Sequence, residues 1–383
     1  MTATVIHSAR LISHGVETDD AWVRFGDGIV VETGIGGGRT DADEVVDASA
    51  IAGPGAILAP GFIDIHGHGG AGASYDDGAE AIRTARALHR AHGTTRAVIS
   101  LVTASMDDLA RRVAEIAELT ETDAEILGSH LEGPFLDPGH QGAHEPTLLR
   151  APDASDVRRL LEAGRGTVRQ VTIAPELPGG IEAIRLVVAA GAAAAVGHTD
   201  ADAEIAAAAF DAGATILTHA FNAMRGIHHR APGPVLAAAA DRRVVLEAIA
   251  DNVHLDPHVI KLVFDVAPDR VALVTDAMAA AGSADGRYDL GAVKVTVADG
   301  VARTDETGSI AGSTLTQDVA LQRAVQAGVP LAAAVRALTE TPASVIGEGG
   351  RLGRLERGLL ADAVLLDARL RVRRVWVGGR LAA

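Results

Sequence analysis

A chain of 383 residues, 48% hydrophobic and 22% charged, has the composition of a folded protein with material for a large core, which excludes disorder. It has no cysteine, which excludes a disulfide framework, a thiolate nucleophile and a zinc–thiolate site, so any metal must sit on His, Asp and Glu. A formal net charge of −16 repels nucleic acid and anionic membrane surfaces, and an anionic small substrate would need a local basic pocket.

The first eleven residues lack the apolar run behind a basic stretch that marks a signal peptide. No charge-free apolar run reaches the roughly 18 residues a membrane helix needs, so a soluble, cytoplasmic protein is expected. Short strand-like runs at 4–6, 21–25, 29–32 and 44–47, separated by Gly and Asp, read as a small antiparallel unit.

An alternation of apolar strands and Ala/Leu-rich helices follows. The candidate strands are 57–64, 96–102, 125–131, 169–174, 192–196, 214–218, 244–250 and 270–275, with helical stretches such as 79–91, 107–119, 181–190, 201–212 and 257–266 between them. Eight such units predict an α/β protein with a (β/α)8 TIM-like barrel, its site at the C-terminal strand ends. Residues 288–303 read as a β-hairpin beside the barrel mouth, before helices resume near Thr316. Residues 362–366 and 372–377 are strand-like again. The expected organisation is a small β-sandwich domain built from both termini, 1–56 and 345–383, and a metal-dependent hydrolase barrel over 57–344.

His66 and His68 end the first candidate strand two positions apart, so strand periodicity points both to one side, with Gly67 leaving the space between them open. Spacing alone leaves open a pair of unrelated surface histidines. Other candidate strands end in ligand-type residues too: Glu132, His198, His219 and Asp276. In a barrel these converge, which predicts a metal site. The loop Arg225-Gly226-Ile227-His228-His229-Arg230 is the densest basic cluster near the predicted mouth and suits a phosphate, although solvated surface arginines would look the same. Ile310-Ala311-Gly312-Ser313 reads equally as a close wall of the site or as the entry to a helix.

The segments Leu131-Glu132-Gly133-Pro134-Phe135, Gly142-Ala143-His144, Val196-Gly197-His198-Thr199, Thr218-His219-Ala220-Phe221-Asn222-Ala223-Met224 and Val274-Thr275-Asp276-Ala277 resemble the N-acetylglucosamine-6-phosphate deacetylases of the amidohydrolase superfamily. The resemblance runs in order over nearly the whole chain. The stretch from His219 to Met224 and the Glu132-Gly133-Pro134 turn are specific to it, whereas the first-strand histidine pair is shared across the superfamily.

The resemblance implies that Glu132, His198 and His219 bind the principal divalent metal, which zinc, iron, manganese or cobalt could supply. His66 and His68 would hold a second ion bridged by Glu132, so one or two metals per subunit stay open. Asp276 would be the catalytic acid/base, and His144 would polarise the acetamide carbonyl. Ala143, Asn222 and Ala223 would line the sugar pocket, with Ile310, Ala311 and Gly312 as its other wall. Arg230 and His254 would contact the phosphate, partly from a neighbouring subunit, which implies a homodimer.

Three rival readings accompany this one. A cyclic amide hydrolase of the dihydroorotase kind would carry a lysine at the end of strand four, where this chain reads Arg169-Gln170-Val171-Thr172-Ile173-Ala174-Pro175-Glu176. A non-catalytic metal-binding barrel would be expected to lack Asp276. Deacetylation of another N-acetylhexosamine 6-phosphate, such as that of galactosamine, keeps every residue above.

Overall fold

A computed structural model describes residues 3–37 and 42–383. Eight parallel strands pair in chain order: Phe62–Asp64, Thr94–Val102, Ile126–Glu132, Val168–Ile173, Ala193–Val196, Ile216–Leu217, Val245–Ile249 and Val271–Val274. The first and eighth meet just past their C-terminal ends, where Asp276 N–H donates to His66 O at 2.8 Å and His68 N–H donates to Ala277 O at 2.7 Å. The mouth of the barrel is thus closed at the residues expected to carry chemistry. The strands read as near-continuous apolar runs because both faces are covered, as in Thr94–Val102, where every residue is buried.

Helices pack between the strands, including Ala79–Ala91, Met106–Thr122, Ala154–Ala163, Ala203–Asp211 and Pro257–Val266. Their starts are set by side-chain caps. Ser105 Oγ accepts Asp108 N–H at 3.2 Å, and Asp202 Oδ1 accepts the N–H groups of Glu204 at 3.0 Å and Ile205 at 2.9 Å. Among the described residues no helix is long and apolar enough to cross a membrane.

The single strand expected over 57–64 is two strands in two sheets. Ile57–Pro60 pairs parallel with Arg10 and Leu11 and antiparallel with Ala363–Leu366, whereas Phe62–Asp64 opens the barrel. Gly61 is the crossing point: its N–H donates to Asp362 O at 2.8 Å, and a Cβ there would stand 2.2 Å from Thr95 Oγ1. Only glycine permits that approach. All of 57–64 is buried, so the hydrophobic pattern carries no mark of the switch.

The two termini build one continuous sheet in the order 380–381, 372–377, 363–366, 57–60, 4–13, 16–26, 29–35. Irregular pairing around Ala9 divides strand Thr4–Ser13, which pairs parallel with Glu44–Asp47 and then with Ile57 and Leu58. The sheet wraps its own core, in which Ile6, Val23 and Phe25 pack with Leu58, Leu365 and Trp376. The insert after strand eight is a three-stranded antiparallel sheet, Gly286–Leu290, Val293–Ala298 and Val301–Thr304, rather than a hairpin. Leu290, Val295 and Ala302 bury against Val102, Met278 and Ala311, which docks the insert on the barrel mouth.

Candidate metal centre and active-site cavity

Each ligand-type residue lies at, or just past, the C-terminal end of a barrel strand. Glu132 is the last residue of the third. His198, His219 and Asp276 follow the fifth, sixth and eighth in left-handed backbone, with φ of 48°, 24° and 47°. Such conformations cost about 1–3 kcal/mol each for a non-glycine residue and persist only where the surroundings enforce them.

All six side chains are buried, and they converge on Glu132. Glu132 Oε1 lies 3.2 Å from His198 Nε2 and 3.1 Å from His219 Nε2, and these two nitrogens are 3.0 Å apart. His66 Nε2 is 3.2 Å from the same oxygen. Glu132 Oε2 faces His68 Nε2 at 3.0 Å, and Asp276 Oδ1 is 3.3 Å from His68 Nε2 and 3.6 Å from His66 Nε2.

These residues fit a cation. The Nδ1–H of His198 donates to His140 O at 2.8 Å, which leaves Nε2 bare and aimed at a second nitrogen and a carboxylate oxygen. Ligands of a tetrahedral ion held at about 2.1 Å stand about 3.4 Å apart, close to the separations in this triad. Two overlapping donor sets share Glu132: Glu132 with His198 and His219, and Glu132 with His66, His68 and Asp276.

Opposite charges, not solvent, govern protonation here. Burial works against the charge on Glu132, yet the neighbouring His66 charge and hydrogen bonds from His144, His198 and His219 hold it well below the usual carboxylate range. Asp276 is likewise opposed by burial but lowered to about 2 by the His68 hydrogen bond and the His66 charge. Burial alone would depress His68; its bonds to Asp276 and Glu132 raise it to about 9. His144, buried and only weakly compensated by Glu132, is depressed to about 4 and is neutral at pH 7. Its Nδ1 accepts Thr103 N–H at 3.4 Å, which leaves the proton on Nε2, 3.6 Å from Glu132 Oε2.

The centre opens into a cavity of about 440 Å³ whose walls include His68, Glu132, His144, His198, His219 and Asp276. Of the expected sugar-binding residues, Ala143, Asn222, Ala223, His254, Ile310 and Gly312 line it. Ala311 does not; it points away into the core beneath the insert, because neighbours on a strand-like segment alternate in direction. Gly312 is required where it stands, since its φ is +61° and a Cβ would lie 2.9 Å from Asp276 O. Arg230 is also outside this cavity. It is exposed on its loop, with Nη1 2.7 Å from His229 Nε2, while Arg225 is engaged by Asp200 at 2.6 Å. His254 does face the cavity, its Nδ1 2.6 Å from Asp251 Oδ2.

Several residues at the site carry no sequence-level expectation. His140 and Leu290 line the cavity, and Thr103 orients His144 through Oγ1 at 2.9 Å from Nδ1. Beneath the donors, Glu247 and Gln170 are fully buried, and His130 is held between Ser100 Oγ at 2.9 Å and Thr172 Oγ1 at 2.8 Å. A lone carboxylate inside the apolar run Val244-Val245-Leu246-Glu247-Ala248-Ile249 is a signal that could have found Glu247, because a buried charge needs partners.

Residues 57–382 match the amidohydrolase family. The chain is 37% identical to an N-acetylgalactosamine-6-phosphate deacetylase of Escherichia coli O157:H7 over 99% of both proteins. It is 35% identical to an N-acetylglucosamine-6-phosphate deacetylase of Bos taurus, covering 95% of this chain and 91% of that one. Among solved structures, a mutant N-acetyl-D-glucosamine-6-phosphate deacetylase of Mycobacterium smegmatis, in complex with N-acetyl-D-glucosamine-6-phosphate, superposes with a TM-score of 0.94 at 40% identity over 100% of both chains.

Proposed function

The chain belongs to the amidohydrolase family, among its amino-sugar-phosphate deacetylases, and from that membership we propose that it hydrolyses the acetamide of N-acetylglucosamine 6-phosphate to glucosamine 6-phosphate and acetate. The observation that carries this reading is the convergence of His66, His68, His198, His219 and Asp276 on Glu132 at the floor of a cavity lined by Asn222, Ala223 and His254.

Glu132, His198 and His219 would hold a principal divalent ion, with His66, His68 and Asp276 as a second subsite across Glu132. Such an ion supplies an activated water at neutral pH and polarises a carbonyl oxygen. Asp276, ionised at pH 7, accepts the proton of the attacking water and returns it to the departing sugar nitrogen, since an amine leaves far more readily once protonated. His144 directs its Nε2–H into the cavity, where it donates to the acetamide oxygen as negative charge develops there.

The phosphate falls to cations. Burial disfavours the charge of His254, but its hydrogen bond to Asp251 and that carboxylate's charge raise its pKa above the ordinary imidazole value. Arg230, exposed and off the cavity in its own chain, serves this role from a neighbouring copy, which makes a homodimer the working unit.

A second reading, the galactosamine epimer, is favoured by one observation: the relative at 37% identity acts, by its name, on N-acetylgalactosamine 6-phosphate. Amine release from both 6-phosphates and both free N-acetylhexosamines tests the assignment. The glucosamine 6-phosphate precursor should give the highest kcat/KM; a preference for the galactosamine epimer would transfer the assignment to it, and turnover of neither would refute both.

A further inference from the structure

One carboxylate in the barrel interior is left without a role by the reading above. Glu247 sits in the seventh barrel strand with 0% exposure. Its Oε2 accepts Nδ1–H of His66 at 2.9 Å and the backbone N–H of His219 at 3.2 Å, and its Oε1 accepts Nε2–H of Gln170 at 2.8 Å. Three N–H groups therefore converge on a side chain that, ionised, offers only acceptors. His66 belongs to one donor set and His219 to the other, so Glu247 touches a ligand of each.

We infer that Glu247 is a positioning residue that fixes His66 with its proton on Nδ1, so that Nε2 faces Glu132 and Asp276 as a bare ligand and the second cation subsite is complete. The inference rests on the two-subsite reading of the centre given above.

A neutral imidazole carries one N–H, and the partner of one nitrogen decides which nitrogen is left to bind a metal. At His66 that partner is Glu247, and the freed Nε2 stands 3.2 Å from Glu132 Oε1 and 3.6 Å from Asp276 Oδ1. The neighbouring imidazole cannot substitute. His130 packs edge-on against His66 with ring centroids 4.6 Å apart, but both its nitrogens are already taken by Ser100 and Thr172.

An amide in place of the carboxylate would be nearly the same shape and would fail at this task. One of its ends is an NH2 donor, which must face either Gln170 Nε2 or the N–H groups of His66 and His219. Turned towards His66, it favours the ring with its proton on Nε2, which aims a hydrogen into the subsite. Turned towards Gln170, it meets that NH2 group at the 2.8 Å contact and leaves His66 a neutral carbonyl oxygen in place of an anionic one, a weaker hold on the Nδ1 proton. The backbone contact adds a second constraint: His219 has φ of 24°, and Glu247 receives its N–H at that left-handed step.

The test compares wild type, Glu247→Gln, His66→Ala and the double variant, each stripped of metal and titrated with zinc by equilibrium dialysis, with cobalt absorption as a spectroscopic check. Wild type should bind two equivalents. Glu247→Gln should keep the first and weaken the second about 10–100-fold. Added to His66→Ala it should change zinc binding no further, because it acts through that ring. A second equivalent bound as tightly by Glu247→Gln as by wild type overturns the inference, and so do additive losses in the double variant. Wild type taking up only one equivalent would refute the two-subsite reading itself, a result distinct from a second equivalent that ignores Glu247. Should Glu247→Gln fail to fold by circular dichroism, cadmium-113 and nitrogen-15 couplings in the wild-type protein decide instead: His66 must ligate through Nε2, and ligation through Nδ1 overturns the role.

Discussion

Asp276 Oδ1 stands 3.3 Å from Nε2 of His68, on the cavity side of the candidate metal cluster, and the pair shares Glu132 as its common neighbour. A carboxylate so placed can move a proton between water and leaving group without leaving the site. Asp276→Asn keeps the shape and the Oδ1 contact but abolishes that basicity. It should lower kcat by about two or more orders of magnitude while the first equivalent of metal, held by Glu132, His198 and His219, stays near wild type by elemental analysis. Near-normal turnover would remove Asp276 from the acid/base role.

The shared position of Glu132 predicts an ordering of metal loss. His198→Ala or His219→Ala should remove the principal ion, His66→Ala with His68→Ala only the second, and Glu132→Ala both. Metal analysis after gel filtration reads this directly. Equal loss from the His66/His68 and His198/His219 sets would contradict two subsites of different rank.

Asp251 favours the charged form of His254. Burial favours neutral His254, whereas Asp251 raises its pKa, so its positive charge is present at low pH and lost as pH rises through that raised value. Asp251→Asn retains Oδ1 for the N–H groups of Val253 and His254, both capped by that atom at 2.8 and 2.7 Å. It removes the negative charge and puts an NH2 donor where Oδ2 accepts His254 Nδ1–H, and both changes lower the imidazole's pKa. The alkaline limb of kcat/KM for the phosphorylated substrate should move to lower pH, with little change in the limb for an unphosphorylated sugar. An unmoved limb would detach His254 from phosphate binding.

Arg230 poses the sharpest question, because its own chain leaves it exposed and outside the cavity. If it reaches a neighbouring site, Arg230→Ala should lower kcat/KM for the 6-phosphate by roughly thirty- to thousand-fold and leave the unphosphorylated sugar nearly unaffected. Mixing Arg230→Ala with Asp276→Asn subunits should then restore activity, since one hybrid site regains both groups. An unchanged substrate ratio would refute the phosphate role. No restoration after confirmed subunit exchange would return Arg230 to its own site.

The barrel was legible because parallel strands covered on both faces write themselves as apolar runs, and the candidate cluster because its members end or follow such runs, as Glu132, His198, His219 and Asp276 do. The handover at Gly61 was not, since a strand buried in one sheet and a strand buried in the next have the same composition, and only the crowding against Thr95 reveals the change. Glu247 is hidden from sequence for a related reason. It lies in the interior of a strand rather than at its end, and its three donors come from positions 66, 170 and 219, which no local pattern links. Ala311 shows the limit of carrying a motif over residue by residue: Ile310 and Gly312 face the cavity, and the residue between them faces the core.

The measurement that bears most directly on the account is the appearance of free amine from N-acetylglucosamine 6-phosphate, followed with the protein stripped of metal and again after a divalent ion is restored. The donor geometry around Glu132 predicts negligible release from the stripped protein and full recovery with the ion, in step with the first equivalent bound. Undiminished amine release from protein shown to be free of metal would contradict it.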